Sequence, residues 1–168
     1  QEFLPDNLMI ALDSARPEVM VQSSRILYTP QNPLPVNSGI TPLVCFTLLL
    51  MVFILFSFLQ WRSLLRIADF TLFFLVGLLG ILLVFMWWGT DHIMTKENYN
   101  LLWALPTHTF FAFTIRKQQR GFKLYFLVTA ILMGIILLSW YFLPQQLNIA
   151  LIPIVILLLY RSIAIFKN

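Results

Sequence analysis

Two histidines, two acids and a run of amide and hydroxyl side chains gather in one short stretch, GTDHIMTKENYNLLWALPTH, from Gly89 to His108. Such residues ligate metals, move protons or hold lipid headgroups. A metal needs at least three converging ligands, for which Asp91, His92 and His108 are the candidates. Adjacent Asp-His is poor spacing for one site and no HExxH helix motif accompanies it, so neither a metal nor a cofactor is expected. Nucleophilic catalysis has as little support: there is no GxSxG, and Cys45 is remote in sequence from both histidines. No catalytic residue is assigned to the chain. Two readings of the stretch remain, a loop ordered by Asx-type hydrogen bonds and interfacial aromatics, and an outer-surface site for a lipid headgroup or acyl chain.

The elements that must position these residues are membrane helices. Of the 168 residues 60% are hydrophobic and 11% charged, with a mean hydropathy of +0.84, and the apolar residues fall in runs long enough to cross lipid. The expected class is all-α, a polytopic bundle of five transmembrane helices at about 40–61, 67–88, 100–115, 122–143 and 147–166. A span of some 20 residues suits a hydrocarbon slab of about 30 Å at about 1.5 Å per residue. The third segment is short, carries Pro106 and His108, and spans only with its polar start counted. Cys45, in the first run, is expected to be a buried, inert thiol.

Eight basic residues, Arg62, Arg66, Arg116, Lys117, Arg120, Lys123, Arg161 and Lys167, fall at one set of span ends; the opposite membrane-proximal loops hold only Lys96. Positively charged loops stay in the cytoplasm, which puts the N-terminal segment and the Gly89–Asn100 loop outside and the C-terminus in the cytoplasm. The net charge of +4 is therefore a topology signal, and no nucleic-acid partner is expected. Residues 1–29 read as the tail of a soluble periplasmic domain, with a short helix after Asp6 and a strand over 19–28. Residues 30–39, with Pro30, Pro33 and Pro35, read as a stiff linker. With Gln1 first and no signal peptide, the chain reads as a piece of a longer protein.

Ionisable groups inside spans are costly and so merit attention. Asp69 is expected to be a helix-start carboxylate, favoured by the dipole and close to Arg66. Arg161 is expected to snorkel from the basic end of the fifth helix. His108 is expected to be a neutral imidazole bonded to a neighbouring helix. Helical projection groups Asn100, Trp103, Ala104, Thr107 and Phe111, with His108 at the flank, and Pro106 should kink the segment. On the second helix Asp69, Phe73, Val76, Gly80, Val84 and Trp87 form a stripe that Gly77 and Gly80 open to close approach. The two stripes are expected to face each other.

The string TDHIMTKENYNLLWALPTH after a Phe- and Leu-rich helix ending in Trp-Trp-Gly resembles the membrane portion of the Lnb-type lipoprotein N-acyltransferases of Bacteroidota. FLPDNLMIALDSA and SRILY before the proline linker are similar to the end of that family's periplasmic domain. The resemblance covers essentially the whole chain. It implies a periplasmic catalytic domain followed by a five-helix membrane domain, in the bacterial inner membrane, that N-acylates the lipid-modified N-terminal cysteine of lipoproteins. The partners it implies are membrane lipids, a diacylated lipoprotein, a phospholipid acyl donor and the protein's own upstream domain. Carried onto this chain is the family string, at Thr90, Asp91, His92, Asn98, Asn100, Leu101, Leu102, Trp103, Pro106 and His108. Catalytic residues are expected upstream. The competing classes are a structural anchor without a substrate role and a small transporter or channel subunit, against which no internal repeat between the halves is found.

Overall fold

A computed structural model of the chain describes residues 40–90, 98–115, 117 and 120–167. The expectations for residues 1–29, for the 30–39 linker, and for Asp91 and His92 lie outside them.

All the regular elements among the described residues are helices. Helix α1 (Pro42–Phe58) is opened by Thr41, whose hydroxyl accepts from the Val44 amide at 3.4 Å, with Pro42 in the first turn where its missing amide costs nothing. It stops three residues before the expected Trp61, and the stop is built by Gln60, in the left-handed region at φ 55°. The Trp61 amide donates to the Phe56 carbonyl at 3.1 Å and the Gln60 amide to Ser57 at 3.2 Å. The Phe56 and Trp61 rings pack 5.5 Å apart across the turn, which completes a Schellman cap with its apolar contact.

Helix α2 (Arg62–Trp88) then starts at once, five residues before the expected Ile67. The Arg-Ser-Leu-Leu-Arg segment read as a link is helical, because it contains neither Gly nor Pro and the turn is already made at Gln60. At 27 residues α2 is about 40 Å long.

The third segment differs most from expectation. Instead of one kinked helix over 100–115 it is a 3-10 turn at Tyr99–Leu102, a break at Trp103–Pro106 and a six-residue helix α3 (Thr107–Ala112). Pro106 caps α3 rather than bending a longer helix. Helices α4 (Arg120–Ser139) and α5 (Ile152–Lys167) follow as an antiparallel pair, α5 entered through a 3-10 turn that Asn148 caps by accepting from the Ala150 amide at 2.9 Å.

The core is a largely apolar seam between α2, α4 and α5. Phe73, Phe126, Met133, Val155, Leu157 and Leu158 are fully buried in it. Phe73 is edge-on to both Phe126 (5.2 Å) and His108 (5.3 Å). Outside it large apolar side chains are exposed along every long helix, Leu48, Leu75, Ile131 and Ile163 among them, the inverse of a water-soluble surface. Cys45 lies on this exposed face rather than in the core. Helices α2 and α4 and the Ile149–Lys167 unit are long and apolar enough to cross a membrane, and α1 is a shorter apolar helix.

Candidate functional site

The groove that receives the third segment is cut by two glycines. A Cβ on Gly77 would strike the backbone and hydroxyl of Thr109 and come within 2.9 Å of the His108 carbonyl carbon. One on Gly80 would strike the Ala104 carbonyl and reach 2.8 Å from the Pro106 nitrogen. The irregular stretch 103–106 and the first turn of α3 therefore lie directly on α2, and the expected meeting of the two stripes occurs through Trp103, Ala104 and His108. Thr107 and Phe111 turn instead to α4, where the Phe111 ring stacks on Tyr125 at 3.5 Å, nearly parallel.

Two polar clusters result. In the first, the Asn98 carboxamide oxygen accepts from the Asn100 amide (3.0 Å) and from its side-chain nitrogen (2.8 Å), and the Asn100 side-chain oxygen accepts from the indole of buried Trp103 (2.9 Å). This is an Asx turn extended by one side chain, and it holds the indole in place. The Gln145 side-chain oxygen accepts from the Tyr99 amide at 2.7 Å, tying the turn to the α4–α5 connection. In the second cluster the Tyr125 hydroxyl lies 2.6 Å from His108 Nδ1 and 3.0 Å from the Thr107 hydroxyl. His108 is fully buried. A Tyr125 hydroxyl can donate to Nδ1 and accept from Thr107 at the same time, which leaves His108 Nε2 as a buried nitrogen without a hydrogen bond.

The other predicted residues stand apart. Thr90 donates to the Met86 carbonyl at 2.7 Å and finishes α2. Asp69 is neither at the start of α2 nor paired with Arg66. Both its oxygens accept from Arg161, Oδ1 from Nε at 2.6 Å and Oδ2 from Nη2 at 2.8 Å. Arg161 Nη1 also donates to the Ser57 hydroxyl at 3.0 Å. With 5% of its surface exposed, Arg161 does not snorkel. A planar guanidinium with three bonds to two helices has its charge and its donors matched within the bundle, which a side chain turned out to the membrane surface would not have. Ser57, Tyr125 and Gln145 escape the sequence reading, and Arg161 is given the wrong role in it. For Arg161 a signal existed, a single arginine facing a single aspartate within otherwise apolar spans.

Beside the first cluster is an apolar cavity of about 410 Å³, lined by Phe46, Val76, Leu83 and Ile154 with Asn100 and Trp103. Its volume is within the range of small-molecule sites. Leu75 and Leu79 also line it and are exposed on α2, so it opens on the apolar surface. Among the described residues no group of three or more His, Cys, Asp or Glu side chains is placed to hold a metal ion.

Five apolar helical segments, three of them full-length spans and one broken around a polar seat, define a multi-pass membrane domain. The chain belongs to the family of the Lnb transmembrane domain, whose model matches residues 35–168. Comparison with curated proteins and with solved structures returned no match.

Proposed function

We propose that this chain is the membrane domain of a lipoprotein N-acyltransferase, which anchors a periplasmic catalytic domain in the bacterial inner membrane and presents lipid to it. The observation that carries this reading is the apolar cavity beside Asn100 and Trp103. An acyl chain entering past Leu75 and Leu79 would lie against Phe46 and Ile154, with its polar end toward the Asn98–Asn100–Trp103 cluster. An enzyme that joins two membrane-borne substrates gains from holding one of them next to the reacting centre, because most of the entropic cost of their meeting is then met by binding. With Arg161 taken up by Asp69, seven cations at one set of span ends against Lys96 at the other support an orientation with this cavity toward the periplasmic leaflet, on the side of the catalytic domain.

The test is a cavity-filling substitution in the full-length enzyme, Leu83→Trp, against Leu82→Trp, whose residue faces outward and does not line the cavity. Lipoprotein N-acylation at equal protein abundance should fall with the first and persist with the second. Equal activity of both, together with retained activity when the domain is exchanged for an unrelated five-helix bundle of the same orientation, would reduce it to an anchor.

A further inference from the structure

At the opposite end of the bundle, where α1 stops and α2 and α4 begin, is a second cavity of about 380 Å³. Its rim carries four cations, Arg62 and Arg66 from the first turns of α2 and Lys117 and Lys123 from the connection into α4 and its first turn, and Phe122 and Phe126 form an apolar wall. Asp69 and Arg161 also line it. Asp69 is the sole carboxylate among the described residues, and both its oxygens are already taken by Arg161. The four rim cations therefore have no carboxylate partner among the described residues.

Two of them are nonetheless held in place. Arg66 Nε donates to the Arg62 carbonyl at 3.3 Å, and the Lys117 ammonium stands 6.0 Å from the centre of the Phe122 ring. Four like charges around one concavity repel each other and focus a positive field into it, the more so against a low-dielectric apolar wall. Snorkelling explains why such residues sit at a helix end; it does not explain why four from two elements converge on one hollow. Guanidinium forks and ammonium groups together match the oxygens of a phosphate.

We propose that this cavity binds a phosphate anion, brought either by the headgroup of an anionic phospholipid or by a soluble phosphate compound. Leu64 and Ile67, exposed on α2 beside the basic turns, give a lipid's chains an apolar surface to follow.

Native mass spectrometry of the chain released from mixed phosphatidylglycerol and phosphatidylcholine micelles tests the lipid source, and thermal unfolding with added inorganic phosphate tests the soluble one. The wild type should retain phosphatidylglycerol in preference to phosphatidylcholine. The Lys117→Gln/Lys123→Gln variant should weaken that preference by about fivefold per cation, about 25-fold in all. Lys167→Gln removes an exposed cation from the same end but outside the cavity and should change nothing. Stabilisation by inorganic phosphate without a lipid preference, lost in the double variant, would support the site and assign the soluble source. A loss as large in Lys167→Gln, or neither lipid preference nor phosphate stabilisation in the wild type, would overturn the proposal.

Discussion

The carboxylate of Asp69 and the guanidinium of Arg161 meet in a fork of two hydrogen bonds, 2.6 and 2.8 Å long, that fastens α2 to α5 well inside the apolar run of both helices. Ser57 on α1 takes a third guanidinium nitrogen at 3.0 Å. One arginine thus gathers three helices around the sole carboxylate among the described residues. Single replacement by Asp69→Asn or Arg161→Met should destabilise the domain by about 3–5 kcal/mol, because each leaves a buried charge uncompensated. The double variant Asp69→Leu/Arg161→Met should recover most of that loss. Equilibrium unfolding in detergent measures all three, and a double variant no better than the singles would refute the pairing.

The two groove glycines make a sharper test of the third segment's docking. Gly77→Ala and Gly80→Ala put a methyl group into backbone rather than into a yielding side chain, so each should cost at least about 2 kcal/mol through displacement of residues 103–109. Gly134→Ala is the control: nothing lies within 4 Å of its added carbon, and stability should hold or rise by up to about 1 kcal/mol. Thermal stability of the three purified variants decides it.

Tyr125→Phe removes the hydroxyl shared by His108 and Thr107. His108, fully buried, then loses its Nδ1 partner, at an expected cost of about 1–3 kcal/mol. Thr107→Val should cost less, since its own hydroxyl is on an exposed residue. Unfolding measurements that reverse this order would show that Tyr125 serves Thr107 and not the imidazole.

Asn100→Ala strips the acceptor from the Trp103 indole, which is 3% exposed, and frees the wall of the apolar cavity to move. A stability loss of about 1–3 kcal/mol is expected from the stranded indole N–H. On the function proposed above, lipoprotein acylation by the full-length protein at matched abundance should fall as well. A variant destabilised but fully active would separate the fold's need for Asn100 from any need of the reaction.

How far the sequence foretells this arrangement depends on the range of the interactions. Five apolar segments, the small-residue groove at Gly77 and Gly80 and the Asx chemistry of Asn98 are legible because each rests on local pattern or composition. The turn at Gln60 is not, since a left-handed glutamine has no compositional signature, and the two backbone hydrogen bonds and the Phe56–Trp61 ring contact that hold it exist only once the chain has turned. Pro106 announces a break, but whether the chain kinks or abandons the helix depends on the shape of α2 beneath it. Arg161 is misread for a related reason: its distance from the helix end allows either snorkelling or burial, and only the position of Asp69 on another helix decides between them.

The broken third segment also constrains how the domain is made. A 3-10 turn, an irregular stretch and a six-residue helix leave several carbonyl and amide groups outside any regular ladder, and bare hydrocarbon would leave them unsatisfied. This segment therefore has no stable resting place in the bilayer before α2 offers its groove and α4 its tyrosine. Residues 99–115 are thus a membrane segment whose final backbone course is set by its neighbours rather than by its own hydrophobicity.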